Sequence, residues 1–308
     1  MDTAICLMGP TASCKTDIAV RLASVLPVDV ISVDSALVYR GMDIGTAKPG
    51  EDILRQVPHR LIDIRDPEQA YSAGEFVRDA RREIERSLEA GRVPLLAGGT
   101  MMYFRALTQG IAELPEADAG IRVDIDSLAA RIGWEALHDE LVGIDPEAAE
   151  RIRPTDSQRI QRALEVYRAS GKTLTEWQSQ TTAPANPRFV KLALLPALRE
   201  TLHERIRQRL EYMMKNGFVE EVQGLKKRPG LSAESSSMRA VGYRQIWSYL
   251  DGQCGLDEAQ HRALYATRQL AKRQITWLRS ETDLPIFDPL EEDAIVSITS
   301  FLRKELDL

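Results

Sequence analysis

A candidate phosphate-binding loop near the start of the chain restricts the fold more than any other feature. The loop follows the apolar run Thr3–Met8 and precedes Lys15–Leu26, where apolar residues recur at helical spacing before Pro27. A second apolar run, Val28–Val33, comes next. Strand, loop, helix and strand in this order form a βαβ unit with two parallel strands. The segment therefore predicts a doubly wound α/β fold.

The loop supplies the groups that phosphate binding requires. A phosphate needs inward-pointing backbone N–H groups at a helix N-terminus, a lysine for its oxygens and a hydroxyl for Mg²⁺. A helix entry that contains Lys-Thr by chance is the alternative, and the flanking strand and helix argue against it. Thr11, Ser13, Lys15 and Thr16 supply these groups. The predicted loop residues are Gly9, Pro10, Thr11, Ala12, Ser13, Cys14, Lys15 and Thr16.

One loop residue departs from the usual pattern, which has a second glycine where this chain has Cys14. If the backbone there requires positive φ, the Cβ costs about 1–2 kcal/mol and crowds the phosphates. We therefore expect weakened but retained phosphate binding. A thiol at a helix N-terminus beside Lys15 is also expected to be more acidic than a buried one.

Strand and helix continue to alternate beyond the first βαβ unit. Residues 113–187 contain several helical stretches and no convincing strand, and prolines bracket them. We expect an α/β, P-loop NTPase-like parallel sheet flanked by helices over residues 1–112 and 188–308, with a helical insertion domain at 113–187. The candidate elements are strands at His59–Asp63, Val93–Ala97 and Phe189–Leu195 and helices at Ala73–Ala90 and Met101–Thr108.

Composition excludes several classes of protein. The apolar runs are far shorter than the roughly 18 residues that a membrane span needs, so no membrane partner is expected. The chain begins without a signal-peptide pattern, and its three cysteines lack C-x-x-C spacing, so we expect a cytoplasmic protein. Its 40 Lys+Arg against 46 Asp+Glu give a net charge of −6, which disfavours bulk nucleic-acid coating but permits a local basic face.

A carboxylate follows the second predicted strand. In a doubly wound sheet the ligand crevice lies at the carboxyl ends of the strands, so Asp34 should face the phosphate loop. From position alone it could bind Mg²⁺ through water, act as a general base, or cap a turn. A GTPase is disfavoured because the only asparagines, Asn186 and Asn216, lie outside any Asn-Lys-x-Asp guanine motif.

Over nearly its whole length the sequence resembles the tRNA dimethylallyltransferases, also called tRNA isopentenyltransferases. The resemblance implies transfer of a dimethylallyl group from dimethylallyl diphosphate to N6 of the adenosine just 3′ of the tRNA anticodon, with Mg²⁺ as cofactor and the protein a monomer. Cys14 is the one clear departure. The matching blocks are Gly9–Thr16, Asp34–Pro49, His59–Asp63, Gly98–Tyr103, Arg162–Glu165, Val241–Gln245 and Arg268–Arg279.

The resemblance also implies roles for individual residues. Asp34 corresponds to the family's general base, Thr100 lies beside the leaving diphosphate, and Arg209 is the best match to an arginine that reaches it. The loop then holds diphosphate in place of ATP phosphates, and Thr16 is implied to be the Mg²⁺ contact. The residues implied to contact the tRNA anticodon stem-loop are Asp34, Ser35, Ala36, Leu37, Arg122, Gln158, Arg159, Ile160, Gln161, Arg162, Arg239, Ala240, Val241, Gly242, Tyr243, Arg244, Lys272, Arg273, Gln274, Ile275, Thr276, Trp277, Leu278 and Arg279.

Basic residues without a single acid run from Arg262 to Arg279. They could form a phosphate track or only a solvated helix face. Trp277 could stack on a base or pack in the core. Two rival functions stay open: a kinase of the same fold, and a tRNA-binding protein whose loop is inactivated at Cys14.

Overall fold

A computed structural model describes residues 2–181 and 186–307. The described residues form one sheet of six strands, every pair of neighbours parallel. The strands are β1 (Thr3–Met8), β2 (Val28–Val33), β3 (His59–Arg60), β4 (Val93–Gly98), β5 (Arg188–Leu194) and β6 (Ile286–Phe287), in the spatial order β3-β2-β4-β1-β5-β6.

The described residues also contain fourteen α-helices. In chain order they are α1 (Lys15–Ala23), α2 (Glu51–Gln56), α3 (Ala73–Glu89), α4 (Met101–Gln109), α5 (Ala119–Ile132), α6 (Trp134–Ile144), α7 (Pro146–Arg151), α8 (Ser157–Ser170), α9 (Leu174–Ser179), α10 (Arg199–Lys215), α11 (Phe218–Lys226), α12 (Tyr243–Leu250), α13 (Leu256–Arg279) and α14 (Ala294–Leu306). The predicted parallel α/β sheet with flanking helices is confirmed.

Both faces of the sheet are buried, which explains the uninterrupted apolar strands. In β1, Ala4, Cys6 and Met8 pack into the core on one face. Ile5 and Leu7 pack into a second core on the other face. Parallel strands covered by helices on both sides require this pattern, because no position along the strand meets water.

Several predicted boundaries differ from the structure. The strand expected at His59–Asp63 ends at Arg60, since Leu61 and Asp63 adopt left-handed φ of 62° and 55°. Helix α1 ends at Ala23 rather than at residue 26, which precedes Pro27 and is therefore disfavoured in a helix. Strand β6 was missed because two residues carry no periodicity.

The chain divides into two compact units, Met1–Thr108 with Ala185–Leu308, and Gln109–Pro184. The second unit contains α5 to α9 around its own core of Ile125, Leu137, Leu141, Ile160 and Leu164. The insertion predicted at 113–187 covers much the same segment. In the described part of the chain, no helix has the length and apolar character to cross a membrane.

Candidate active site

A cleft of about 1090 Å³ lies in the first unit at the carboxyl ends of β1, β2 and β4. Its wall includes the phosphate loop from Thr11 onward, Asp34 and Thr100, with side chains from α10, α12 and α13. The crevice that the doubly wound sheet predicts is therefore present, and the three candidate catalytic residues, Asp34, Thr100 and Arg209, all line it.

The phosphate loop is folded tightly against its own backbone. Ser13 Oγ donates to Pro10 O at 2.9 Å, and Lys15 Nζ donates to the same carbonyl at 2.6 Å. Ala12 and Cys14 adopt left-handed φ of 64° and 57°. The expectation that the Cys14 position requires positive φ is confirmed, and this conformation is strained for any residue with a Cβ.

A second arginine of α10 holds the loop at its non-glycine position. Arg205 Nη2 lies 2.8 Å from Cys14 Sγ, and Arg205 Nε donates to Ala12 O at 2.9 Å. Burial raises the pKa of the Cys14 thiol and outweighs the opposing charge of Arg205. The pKa of this thiol therefore lies above that of a free cysteine, because desolvation exceeds the influence of the nearby cations. The predicted difference from a fully buried thiol stays a prediction.

Two half-buried cations, Lys15 and Arg209, lie at the loop and near Asp34. Burial, together with the charge of Arg209, lowers the pKa of Lys15 to about 8, while Asp34 acts in the opposite direction. Burial also lowers the pKa of Arg209, again opposed by Asp34. Arg209 Nη2 donates to Thr46 O at 2.8 Å. Burial removes water from these two cations, so their positive charge is only partly compensated. This part of the cleft therefore favours an anion.

Asp34 caps the turn after β2. Its Oδ1 accepts hydrogen bonds from Ala36 N–H at 2.8 Å and Leu37 N–H at 3.3 Å. One of the three roles left open by the sequence is thus observed. The capping bonds fix the carboxylate at the cleft wall, and an orientation fixed in advance is what a general base requires.

Thr100 connects the ends of two strands. Its Oγ1 accepts a hydrogen bond from Ser35 N–H at 3.1 Å, and its own N–H donates to Val33 O at 3.2 Å. A Cβ added at Gly98 would lie only 2.0 Å from Val33 O. Glycine at this position therefore allows β4 to approach β2 closely enough for Thr100 to reach the cleft.

Sequence reasoning missed Glu221, which shapes the loop after β2. Its carboxylate accepts the N–H groups of Asp43 at 2.9 Å, Ile44 at 2.7 Å and Gly45 at 3.1 Å. The Tyr243 hydroxyl donates to it at 2.6 Å. These partners lie far away along the chain, so no local pattern could have indicated them. Arg205 was also missed, although its i, i+4 spacing from Arg209 was a usable signal.

The basic helix α13 divides into exposed and buried positions. Lys272, Arg273, Thr276 and Arg279 are exposed, and Ile275 is half-buried. Trp277 is 37% exposed, lines the cleft and lies 5.7 Å from the Arg105 guanidinium carbon.

Two predicted tRNA contacts on α13 are buried. Leu278 is 2% exposed and Gln274 is 9% exposed. Neither side chain is therefore part of the exposed face of α13, and the predicted contact of this segment with tRNA stays a prediction.

The segment Arg239–Arg244 borders the same cleft. Ala240, Val241, Gly242 and Tyr243 line it with Arg239, and the Arg244 side chain is exposed. Tyr243 is fully buried at 0% exposure. The Tyr243 side chain therefore supports the cleft wall and does not form an outer surface for tRNA.

Within the second unit, a buried carboxylate pairs with two predicted tRNA contacts. Glu165 is 0% exposed and accepts hydrogen bonds from Arg122 Nε at 2.8 Å and Arg162 Nη1 at 2.7 Å. Ile160 is a core residue at 0% exposure, so its side chain is not part of the outer surface of this predicted contact segment. Gln158, Arg159 and Gln161 lie on the same helix, and Gln161 Nε2 donates to Asp126 at 2.7 Å.

The fold and cleft define a P-loop-like α/β protein in which the predicted phosphate loop lies beside a fixed carboxylate and two half-buried cations. Residues 37–281 match the family described as IPP transferase. The chain belongs to this family, as its sequence motifs predicted.

Individual relatives are similar to this chain over nearly all of its length. A tRNA dimethylallyltransferase from Methylobacillus flagellatus is 54% identical over 292 residues, which are 94% of this chain and 93% of that protein. The solved tRNA isopentenylpyrophosphate transferase of Bacillus halodurans is 36% identical with a TM-score of 0.74, covering 100% of this chain and 97% of its own. A Staphylococcus epidermidis tRNA isopentenylpyrophosphate transferase is 30% identical with a TM-score of 0.71, covering 100% and 99%.

Proposed function

We propose that this protein transfers a dimethylallyl group from dimethylallyl diphosphate to N6 of the adenosine immediately 3′ of the tRNA anticodon, releasing diphosphate. As a family member 54% identical to a tRNA dimethylallyltransferase, it is a prenyltransferase that modifies tRNA. The observation that carries the proposal is a single cleft that contains the phosphate loop, the Asp34 carboxylate and the half-buried Arg209.

Proton removal is the first requirement of this reaction. Adenine N6 is a poor nucleophile because its lone pair is delocalised into the ring. As the N6–C1 bond forms, the C1–O bond to diphosphate breaks and one N6 proton must leave. We assign that proton to Asp34, whose turn bonds hold the carboxylate at the cleft wall. General base catalysis of this kind contributes about 10²- to 10⁴-fold.

Stabilisation of the negative charge on the leaving diphosphate is the second requirement. Lys15 and Arg209 supply positive charge in a desolvated part of the cleft. Groups oriented before the reaction stabilise developing charge without reorganising. The Thr100 hydroxyl and the N–H groups of the phosphate loop complete the proposed anion site. The prenyl group is transferred to N6 as the diphosphate leaves.

Magnesium fits the donors of this cleft. Thr16 and Asp34 both line the cleft with oxygen donors, and oxygen is the ligand that Mg²⁺ prefers. Among the described residues, no cluster of three His, Cys, Asp or Glu side chains forms a protein cage for a metal. We propose that the Thr16 hydroxyl would help to hold a Mg²⁺ that binds together with the diphosphate. The ion supplies neutralisation of the diphosphate charge.

Nucleoside mass spectrometry of tRNA incubated with the protein and dimethylallyl diphosphate tests the proposal directly. The expected product is N6-dimethylallyladenosine. Loss of labelled γ-phosphate from ATP without prenyl transfer would support a kinase. A gel shift of tRNA that stays unmodified at saturating donor would support a binding protein.

We also propose that the protein acts as a cytoplasmic monomer. A cleft lined by residues of one compact unit of a single chain supports the monomer, and tRNA as the substrate of the family supports the cytoplasm. Sedimentation with and without tRNA tests it, because a dimer would sediment at twice the mass.

Replacing Cys14 by glycine is expected to tighten Mg²⁺–pyrophosphate binding about fivefold, because glycine tolerates left-handed φ and frees Arg205 from the thiol. Isothermal titration calorimetry measures this. Ala12→Gly is the control, since Ala12 also has left-handed φ but no thiol. Equal affinity for Cys14→Gly and the unaltered protein would show that the loop tolerates this side chain.

Removing an exposed cation of α13 should change the salt dependence of tRNA binding. Lys272→Ala and Arg273→Ala are each expected to lower the slope of log affinity against log salt by about one, if each cation touches a phosphate. Arg262→Ala is the control on the same helix, because Arg262 is paired with Glu258. An unchanged slope would show that these cations do not contact phosphates and that α13 is only a solvated basic face.

A further inference from the structure

A side chain of α13 lies between two parts of the proposed diphosphate site. Gln274 is 9% exposed. Its Oε1 accepts a hydrogen bond from Thr11 N–H at 2.9 Å, and its Nε2 donates to Gly99 O at 2.7 Å. A backbone N–H can only donate and a carbonyl can only accept, so these partners fix the orientation of the amide.

The packing around this amide leaves no room for side chains on its neighbours. A Cβ added at Gly99 would lie 2.6 Å from Gln274 Nε2 and 3.2 Å from Gly9 O. A Cβ added at Gly9 would lie 2.7 Å from Leu194 O. The start of the phosphate loop, the glycine pair after β4 and Gln274 therefore form one close-packed layer.

We infer that Gln274 is a positioning residue for the diphosphate end of prenyl transfer. It fixes the separation between Thr11, inside the phosphate loop, and Gly99, which precedes the Thr100 hydroxyl. Loop N–H groups and the Thr100 hydroxyl then converge on one leaving group. The inference rests on the proposed function. It gives the Gln274 side chain a role inside the protein.

The position on α13 gives this role a further consequence. Arg273 is the preceding residue, is exposed and lines the cleft. One turn of α13 thus presents a candidate tRNA contact on one side and fixes the phosphate loop on the other. Substituting Gln274 should weaken diphosphate binding and leave tRNA affinity unchanged, whereas substituting Arg273 should do the reverse.

Two variants of Gln274 separate positioning from simple support of the fold. Gln274→Met keeps the length of the side chain but leaves Thr11 N–H and Gly99 O buried without partners. The expected result is about tenfold weaker binding of Mg²⁺–pyrophosphate and a matching rise in KM for dimethylallyl diphosphate. Gln274→Glu still accepts from Thr11 N–H, but when ionised it places negative charge against Gly99 O.

The glutamate variant has a pH signature that a purely structural role does not predict. As pH falls through the pKa of the introduced carboxyl, protonation restores a donor to Gly99 O. The affinity of Gln274→Glu for Mg²⁺–pyrophosphate, divided by that of the unaltered protein at each pH, should therefore rise toward one. Protonation of pyrophosphate affects both proteins equally, so its effect cancels in this ratio.

Gln269→Met is the matched control, because Gln269 lies on the same helix outside the residues that line the cleft. Pyrophosphate binding like that of the unaltered protein in both Gln274 variants would overturn the inference, as would a pH-independent ratio for Gln274→Glu. If Gln274→Met does not fold, the glutamate series decides alone. Failure of the unaltered protein to prenylate tRNA would reject the proposed function, while the pyrophosphate measurements would still test Gln274.

Discussion

Asp34→Asn is expected to lower kcat for prenyl transfer by about 10²- to 10⁴-fold while tRNA affinity is unchanged. The amide oxygen of asparagine can still accept the N–H groups of Ala36 and Leu37, which now bond to Asp34 Oδ1. The turn should therefore persist, and the variant removes the basic carboxylate with little other change. Single-turnover prenylation measures the chemical step, and filter binding measures tRNA affinity.

Asp43→Asn is the matched control for the loss of a carboxylate near the cleft. Asp43 pairs with Lys48, which also pairs with Asp63, so one carboxylate remains for that lysine. We expect near-normal turnover in this variant. Substantial activity in Asp34→Asn would remove Asp34 from the role of base and leave it the observed role of capping the turn.

Arg209→Gln is expected to lower kcat by about 10²- to 10³-fold, since removal of one oriented donor from developing charge costs this much. Glutamine can still donate to Thr46 O, the present partner of Arg209. The loop contact should therefore survive while the half-buried positive charge is lost. Steady-state kinetics over a range of dimethylallyl diphosphate concentrations separate kcat from KM.

Arg207→Gln provides the control on the same helix. Arg207 pairs with Glu204 and Glu211 on the surface, so its loss should leave kcat unchanged. A raised KM with normal kcat in Arg209→Gln would mean that Arg209 binds the ground state and the transition state equally. Its assignment to the leaving group would then be wrong.

Local patterns predicted much of the fold. The strands at Thr3–Met8 and Val28–Val33 were predicted with their exact ends, because apolar runs bounded by turn residues need no distant information. The phosphate loop was predicted for the same reason. The position of Asp34 beside it followed from the rule that parallel strands end at one edge of a sheet.

The supports of the site could not be predicted in this way. Glu221 meets its backbone partners across 176 to 178 residues, and Gln274 meets Thr11 across 263. Such contacts exist only once the whole sheet has formed. The direction of the Cys14 pKa shift relative to a free cysteine could not be read either, because burial, which the sequence does not display, outweighs the cations beside it.

The burial of some predicted contact residues could have been predicted from the sequence. Ile160, Ala163 and Leu164 recur at helical spacing and mark a buried stripe of α8. Ala271, Gln274 and Leu278 form a similar stripe on α13. A polar residue on an apolar stripe predicts a buried hydrogen-bonding role, so Gln274 could have been separated from its exposed neighbours.

The long separations around the cleft have a consequence for the order in which the protein is made. Four of the six strands lie before residue 99, so most of the sheet can leave the ribosome early. The residues that brace the phosphate loop and the loop after β2 emerge only later: Arg205, Arg209, Glu221 and finally Gln274. Chains that fold during synthesis begin from the N-terminal part. A nascent or truncated chain therefore displays a phosphate loop that is not yet braced, and it gains a competent cleft only when α13 is complete.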